Sequence, residues 1–284
     1  MKITIWGCRG SITTAGINTI RYGGNSACLE VRSEEGNIII IDAGSGLRNL
    51  GKAIRSENKS VEIRFFFTHS HWDHLVGFPF FEPAYLDGYR ITICAGPHFQ
   101  ESIKKYLSRQ MEPPHFPVEF SNLKAKFNFR CDNKKCDGSC PVGVDLKVST
   151  IPLSHPNGGY GYKFTEYGKT FVYLTDNELG FQHEGGLSPE KYIDFCFYAD
   201  LLLHDAQYTT DEYERTRGWG HSTYVDAINL AIKAKVKRLG LIHHDPDRTD
   251  DDLDRQVDLC KSEIKKMGSD LDCFACSEGM EISL

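Results

Sequence analysis

Apolar positions along the chain fall into strand-length runs that alternate with amphipathic stretches. The runs predict strands over residues 2–6, 27–31, 37–41, 63–67 and 89–94, with helices over 47–56 and about 99–107. The Pro-rich segment Glu112-Pro113-Pro114-His115-Phe116-Pro117 then marks an irregular insertion over about 112–141. Beyond it, strands are expected over 146–153, 160–166, 170–175, 201–205 and 237–242, and helices over 224–235 and 251–267. Apolar strands alternating with amphipathic helices imply an α/β fold, sheets covered by helices on their outer faces.

The chemistry is concentrated where these strands stop. Thr68-His69-Ser70-His71-Trp72-Asp73-His74 follows the strand over 63–67 and places three imidazoles and a carboxylate in six positions. An H-x-H-x-D-H run at a strand end presents His69 and His71 on one side, and the following turn brings Asp73 and His74 to a second position. Neutral imidazole suits zinc, carboxylate adds an oxygen ligand, and two ions a few ångströms apart activate a water for hydrolysis. A solvated histidine-rich loop does not account for the downstream candidates: His155, Asp176 and His243 each end a predicted strand.

With these residues in place, the chain resembles the metallo-β-lactamase superfamily along nearly its whole length. The resemblance implies a four-layer αββα sandwich, residues 1–284 forming one such domain that carries the insertion at about 112–141. It also implies that His69, His71 and His155 hold one metal, Asp73, His74 and His243 the other, and that Asp176 bridges them. Asp42, after Ile38-Ile39-Ile40-Ile41, matches an aspartate that orients a ligand histidine through its free ring nitrogen. His204-Asp205-Ala206-Gln207 and His221-Ser222-Thr223 look like the H-E-A-T and H-S-T motifs of the ribonuclease Z-like phosphodiesterase branch, with Asp205 in the glutamate position. A carboxylate beside a non-ligand histidine fixes its tautomer and leaves a general acid, which makes His221 the expected acid and Asp205 its partner. Ser222 or Thr223 also suits the N-cap of the helix that follows.

Composition narrows the setting. The chain has 284 residues, a length that a two-halved α/β sandwich commonly fills. There is no long apolar run and no basic-then-apolar leader, so the expectation is a cytoplasmic protein with no membrane segment. A net charge of −6 disfavours long nucleic acid as a partner and leaves a small anionic substrate compatible. The 10 cysteines argue for thiols or metal rather than a disulfide framework. Cys131, Cys136 and Cys140 lie in a polar stretch that a structural zinc would order, with His115 or another cysteine as fourth ligand; reduced surface thiols are the alternative. Cys273 and Cys276 are expected to pack in the core, as is the Phe78–Phe81 run. The Gly-rich loops over 7–11 and 21–26 read as tight turns needing glycine at positive φ, with lining of the metal cleft as the alternative and no catalytic role assigned.

These readings converge on a phosphodiesterase with two zinc ions, manganese or iron being alternatives, in which a metal-bridging hydroxide attacks phosphorus and His221 protonates the leaving alkoxide. Bacterial ribonuclease Z carries a Gly/Pro-rich arm between the positions of His155 and Asp176, and residues 156–175 leave no room for one. The resemblance therefore favours a small cyclic phosphodiester, foremost a 3′,5′-cyclic nucleotide, and implies a homodimer. Ribonuclease Z-like tRNA 3′ processing and phosphoribosyl cyclic phosphodiesterase activity are the alternatives. A flavodiiron-type oxidoreductase fits less well, because that group places glutamate where Ser70 stands. A lactam or thioester hydrolase would leave Asp205 and His221 without a task.

Overall fold

The computed structural model describes residues 1–57, 61–96, 100–129 and 139–284. Its first sheet has seven strands: β1 (Lys2–Gly7), β2 (Cys28–Arg32), β3 (Ile38–Ile41), β4 (Glu62–Phe66), β5 (Arg90–Cys94), β6 (Lys126–Asn128) and the chain's last, β14 (Glu281–Ser283), in the order β14-β1-β2-β3-β4-β5-β6. The second sheet has β7 (Ser139–Val142), β8 (Leu146–Pro152), β9 (Tyr160–Glu166), β10 (Lys169–Leu174), β11 (Leu201–Asp205), β12 (Arg238–Ile242) and β13 (Asp272–Ala275), in the order β13-β12-β11-β10-β9-β8-β7. Each sheet is antiparallel from one edge to its middle strand, β3 or β10, and parallel from there to the other edge.

Strand alternation explains why these segments are apolar on both faces. Ile39 and Ile41 point toward the second sheet and meet Tyr162, Phe164, Phe171 and Tyr173 in a core between the sheets. Ile38 and Ile40 point the other way, into a core capped by α1 (Leu47–Ser56) and α2 (Gln100–Arg109). The second sheet divides likewise: Leu201 and Leu203 face inward, while Leu202, Leu239 and Leu241 pack under α3 (Pro189–Cys196), α5 (Tyr224–Lys233) and α6 (Asp250–Lys266). Helix, sheet, sheet and helix form the four layers expected of the metallo-β-lactamase sandwich.

The structure departs from the sequence reading in three places. The segment expected as an irregular insertion supplies an edge strand to each sheet, since β6 pairs with β5 and β7 with β8. Two short helices go unannounced by periodicity: α3, and α4 (Thr210–Thr216), which buries no residue and starts on a Thr209–Glu212 capping box. Phe78 and Phe81 are buried as expected, but Phe80 is exposed. Cys131 and Cys136 lie outside the described residues, and Cys140 falls on β7. Cys273 and Cys276 are buried, as expected. No described helix is long and apolar enough to cross a membrane.

Candidate dinuclear metal centre

Six of the candidate residues or segments lie at or just past the C-terminal end of a strand. Asp42 follows β3, the His69–His74 loop follows β4, His155 follows β8, Asp176 follows β10, Asp205 ends β11 and His243 follows β12. Asp42, Asp176 and His243 have φ of 61°, 51° and 62°, the left-handed region that non-glycine residues seldom adopt. That turn breaks strand alternation and swings each side chain back over the sheet end, the kind of local strain that concentrates at functional sites.

The structure brings together all seven residues proposed as ligands. Ligand atoms of His69, His71, His155 and Asp176 lie within 4.8 Å of one another, as do those of Asp73, His74, Asp176 and His243. Asp176 belongs to both groups and divides its oxygens between them. Its Oδ2 lies 3.5 Å from His69 Nε2 and 3.7 Å from His155 Nε2, while Oδ1 lies 3.3 Å from both His74 Nε2 and His243 Nε2. Asp73 Oδ2 closes the second group at 3.3 Å from His74 and 3.2 Å from His243.

Hydrogen bonds at the back of three rings aim the other nitrogen at the cluster. His74 Nδ1 pairs with Asp42 Oδ2 at 2.8 Å, His155 Nδ1 with the Gly220 carbonyl at 2.9 Å and His243 Nδ1 with Gln207 Oε1 at 2.9 Å. Asp42 also accepts from the Thr68 backbone N–H and hydroxyl, both at 2.8 Å, which ties the start of the loop to His74. The fit to metal rests on what remains. His69 Nε2 and His74 Nε2 are buried with no hydrogen-bond partner, and His71 Nδ1 faces His155 Nε2 at 3.1 Å. Two imidazole lone pairs that close repel unless a proton or cation sits between them, and cation-sized convergence of nitrogen and carboxylate donors is what two divalent ions require.

Charge separates the halves. Burial pushes His69 and His71 below the ordinary histidine range and His155 down to about 4, so these rings are neutral at pH 7. Burial also opposes charge on His74 and His243, but Asp73 and Asp176 outweigh it, holding His74 well above its ordinary value and His243 at about 9. The same contacts outweigh burial at Asp73 and Asp176, whose carboxyls fall well below the usual range. A cation entering the Asp73–His74–His243 half must therefore displace protons, whereas one entering the His69–His71–His155 half displaces almost none near neutrality. Calorimetric titration in buffers of different ionisation enthalpy is expected to show one phase that releases protons and strengthens as pH rises toward about 9, and one that releases few protons near neutrality.

Beside the cluster, His221 Nδ1 pairs with buried Asp205 Oδ2 at 2.6 Å, and the His221 ring stacks on His243 at 4.7 Å. Asp205 Oδ1 accepts from the backbone N–H of Gln207 and Ser222, so its oxygens are committed to holding this imidazole. Thr223 caps α5 through a capping box with Asp226 and fixes the chain just after His221, so the cap and the pair coexist.

Several contributors were not assigned from sequence. The loop over 7–11, read as a turn, packs directly on the cluster. Ser11 N–H donates to Asp73 Oδ2 at 2.9 Å, and a Cβ on Gly10 would fall 2.3 Å from His243 Nδ1. Glycine is needed at position 10 for close approach rather than positive φ, which corrects the expectation. Gln207 lies in the motif over 204–207 but was given no role there, and Glu178 carries no motif, because their partners come from segments distant in sequence.

Two layered sheets with a bridged histidine–aspartate donor set at their strand ends define a metallo-β-lactamase-type, metal-dependent hydrolase with a candidate dinuclear site. Residues 37–244 match the Beta-lactamase superfamily domain, and the chain belongs to that family. Ribonuclease Z of Oceanobacillus iheyensis is 22% identical, the match covering 87% of this chain and 91% of that protein. Among solved structures, the short form of human tRNase Z aligns with a TM-score of 0.65 at 19% identity, covering 100% of this chain and 99% of that one. A diphosphatase of the PhnP family aligns at 0.67, also with 19% identity, covering 100% and 97%.

Proposed function

We propose that this protein is a dinuclear metal-dependent phosphodiesterase whose substrate is a small cyclic phosphodiester, foremost a 3′,5′-cyclic nucleotide that it opens to a mononucleotide. The observation that carries the reading is the His221–Asp205 pair stacked against the donor cluster. Hydrolysis at a strained lactam has little need of a carboxylate-held proton donor, whereas expulsion of an alkoxide from phosphorus does.

His69, His71, His155 and Asp176 would hold one cation and Asp73, His74, Asp176 and His243 the other, with zinc fitting this nitrogen-rich set. Two such ions supply positive charge to the phosphate oxygens and lower the pKa of a shared water. The chain's own residues do the rest. Asp42, Gly220 and Gln207 fix the tautomers and aim of three histidines. Asp205 accepts from His221 Nδ1, which leaves Nε2 to deliver a proton to the departing oxygen, and the committed Asp205 lone pairs keep that imidazole from rotating.

The small-substrate reading is supported by the segment between His155 and Asp176, where β9 and β10 form a hairpin with only Tyr167 and Gly168 between the strands. No RNA-gripping arm projects there, and the net charge of −6 supplies little phosphate attraction. The relatives named ribonuclease Z favour a second reading, tRNA 3′ processing on the same metal centre. Cys8, Cys28, Cys196, Cys260, Cys273 and Cys276 are buried thiols outside any disulfide, which supports a reducing, cytoplasmic setting, and a homodimer goes with the family branch.

Purified protein is expected to hydrolyse bis(p-nitrophenyl) phosphate, to lose the activity on chelation and to regain it with added zinc or manganese. Hydrolysis of a lactam or thioester in preference to the phosphodiester would overturn the reaction class.

A further inference from the structure

The loop between α4 and α5 is pinned from beneath at two points. Gly218 and Gly220 both have positive φ, 88° and 98°, and their N–H groups donate to the two oxygens of Glu178 at 2.7 Å each. Glu178 is 1% exposed and also accepts from the Tyr213 hydroxyl at 2.6 Å, while His183 Nε2 lies 2.7 Å from its second oxygen. A Cβ at position 220 would fall 2.0 Å from His155 Nδ1, so this backbone cannot shift without moving that ring. Between the pinned glycines stands Trp219, its own N–H bonded to the Thr216 carbonyl at 3.0 Å and its side chain 63% exposed.

An indole left in water on a rigid loop forgoes the burial that normally stabilises so large an apolar group. It has no aromatic or cationic ring partner among the described residues. Exposed, preorganised tryptophan is what a binding platform requires, because little conformational freedom is lost when a ligand stacks on it. Trp219 lines a cavity of about 780 Å³ that it shares with His71, His155 and His221 and with Arg215, Asp245 and Asp247. The carboxylates of Asp245 and Asp247 can accept hydrogen bonds from sugar hydroxyls.

We propose that this cavity is the subsite for the nucleoside portion of the substrate, with the base stacked on Trp219 and the ribose hydroxyls directed to Asp245 and Asp247. The assignment rests on the phosphodiesterase reading only for where the phosphate sits.

Equilibrium binding of adenosine 5′-monophosphate and of ribose 5-phosphate to the metal-loaded protein isolates the base, since both ligands carry the same phosphate and sugar. The wild type is expected to prefer the nucleotide by about tenfold, the scale of one base–aromatic stack. Trp219→Ala should bring the ratio close to one, and Trp219→Phe should retain most of it. Equal binding of the two ligands by the wild type, no nucleotide binding at millimolar concentration, or a preference that survives in Trp219→Ala overturns the subsite. Cyclic nucleotide turnover, followed separately, tells the two ideas apart. Phosphodiester hydrolysis without base preference removes the subsite alone, and base preference without hydrolysis removes the phosphodiesterase reading alone.

Discussion

Asp176→Ala is expected to deplete both halves of the metal centre at once and to lower kcat/KM by about a thousandfold or more, the several kcal/mol that two cations contribute to a charged transition state. The geometry sets this apart from other ligand losses, because one Asp176 oxygen faces His69 and His155 and the other faces His74 and His243. Asp73→Ala, whose carboxylate serves one half only, should reduce metal content less. Asp176→Asn serves as a companion, since asparagine tolerates the φ of 51° and removes charge with little backbone cost. Elemental analysis against thermal unfolding separates ligand loss from misfolding. A folded Asp176→Ala or Asp176→Asn protein that still holds two ions per chain contradicts the bridging role.

His221→Ala should behave in the opposite way, keeping its metals and losing turnover. The His221 ring stacks on His243 and pairs with Asp205; it also converges with Asp176, Asp205 and His243, but its Nδ1 is held by Asp205 and neither of the two donor groups assigned to the cations includes it. Loss of a general acid typically costs about a hundredfold to ten-thousandfold, concentrated on substrates whose leaving group is a poor one. The variant should therefore lose far more rate on an alkyl phosphodiester than on bis(p-nitrophenyl) phosphate, whose phenolate departs without a proton. Full retention of rate with an alkoxide leaving group removes His221 from the mechanism.

The parts of this site that could be read from sequence are those whose chemistry is local. Six consecutive positions, His69–His74, carry four donors, and Asp42 is announced by the four isoleucines that precede it. His155, Asp176 and His243 could be placed because apolar strands stop just before them. Glu178 could not, since its significance comes from the N–H groups of Gly218 and Gly220, some forty residues away, and from Tyr213. Gly10 and Ser11 look like any tight turn until the fold lays them on His243 and Asp73. The short elements failed for a different reason. Helix α4 buries nothing, and β6 alternates without a buried position, so neither leaves a hydrophobic period to detect. Both are held by capping or by edge pairing with a neighbour already in place.

The central claim, phosphodiester hydrolysis directed at a small cyclic substrate, is tested most directly by initial rates for a 3′,5′-cyclic nucleotide and a precursor tRNA, measured side by side with metal-loaded enzyme at matched ionic strength. Ring opening of the cyclic nucleotide to a mononucleotide is expected, with little tRNA trimming. Efficient, site-specific trimming of the tRNA with no turnover of the cyclic nucleotide would contradict it.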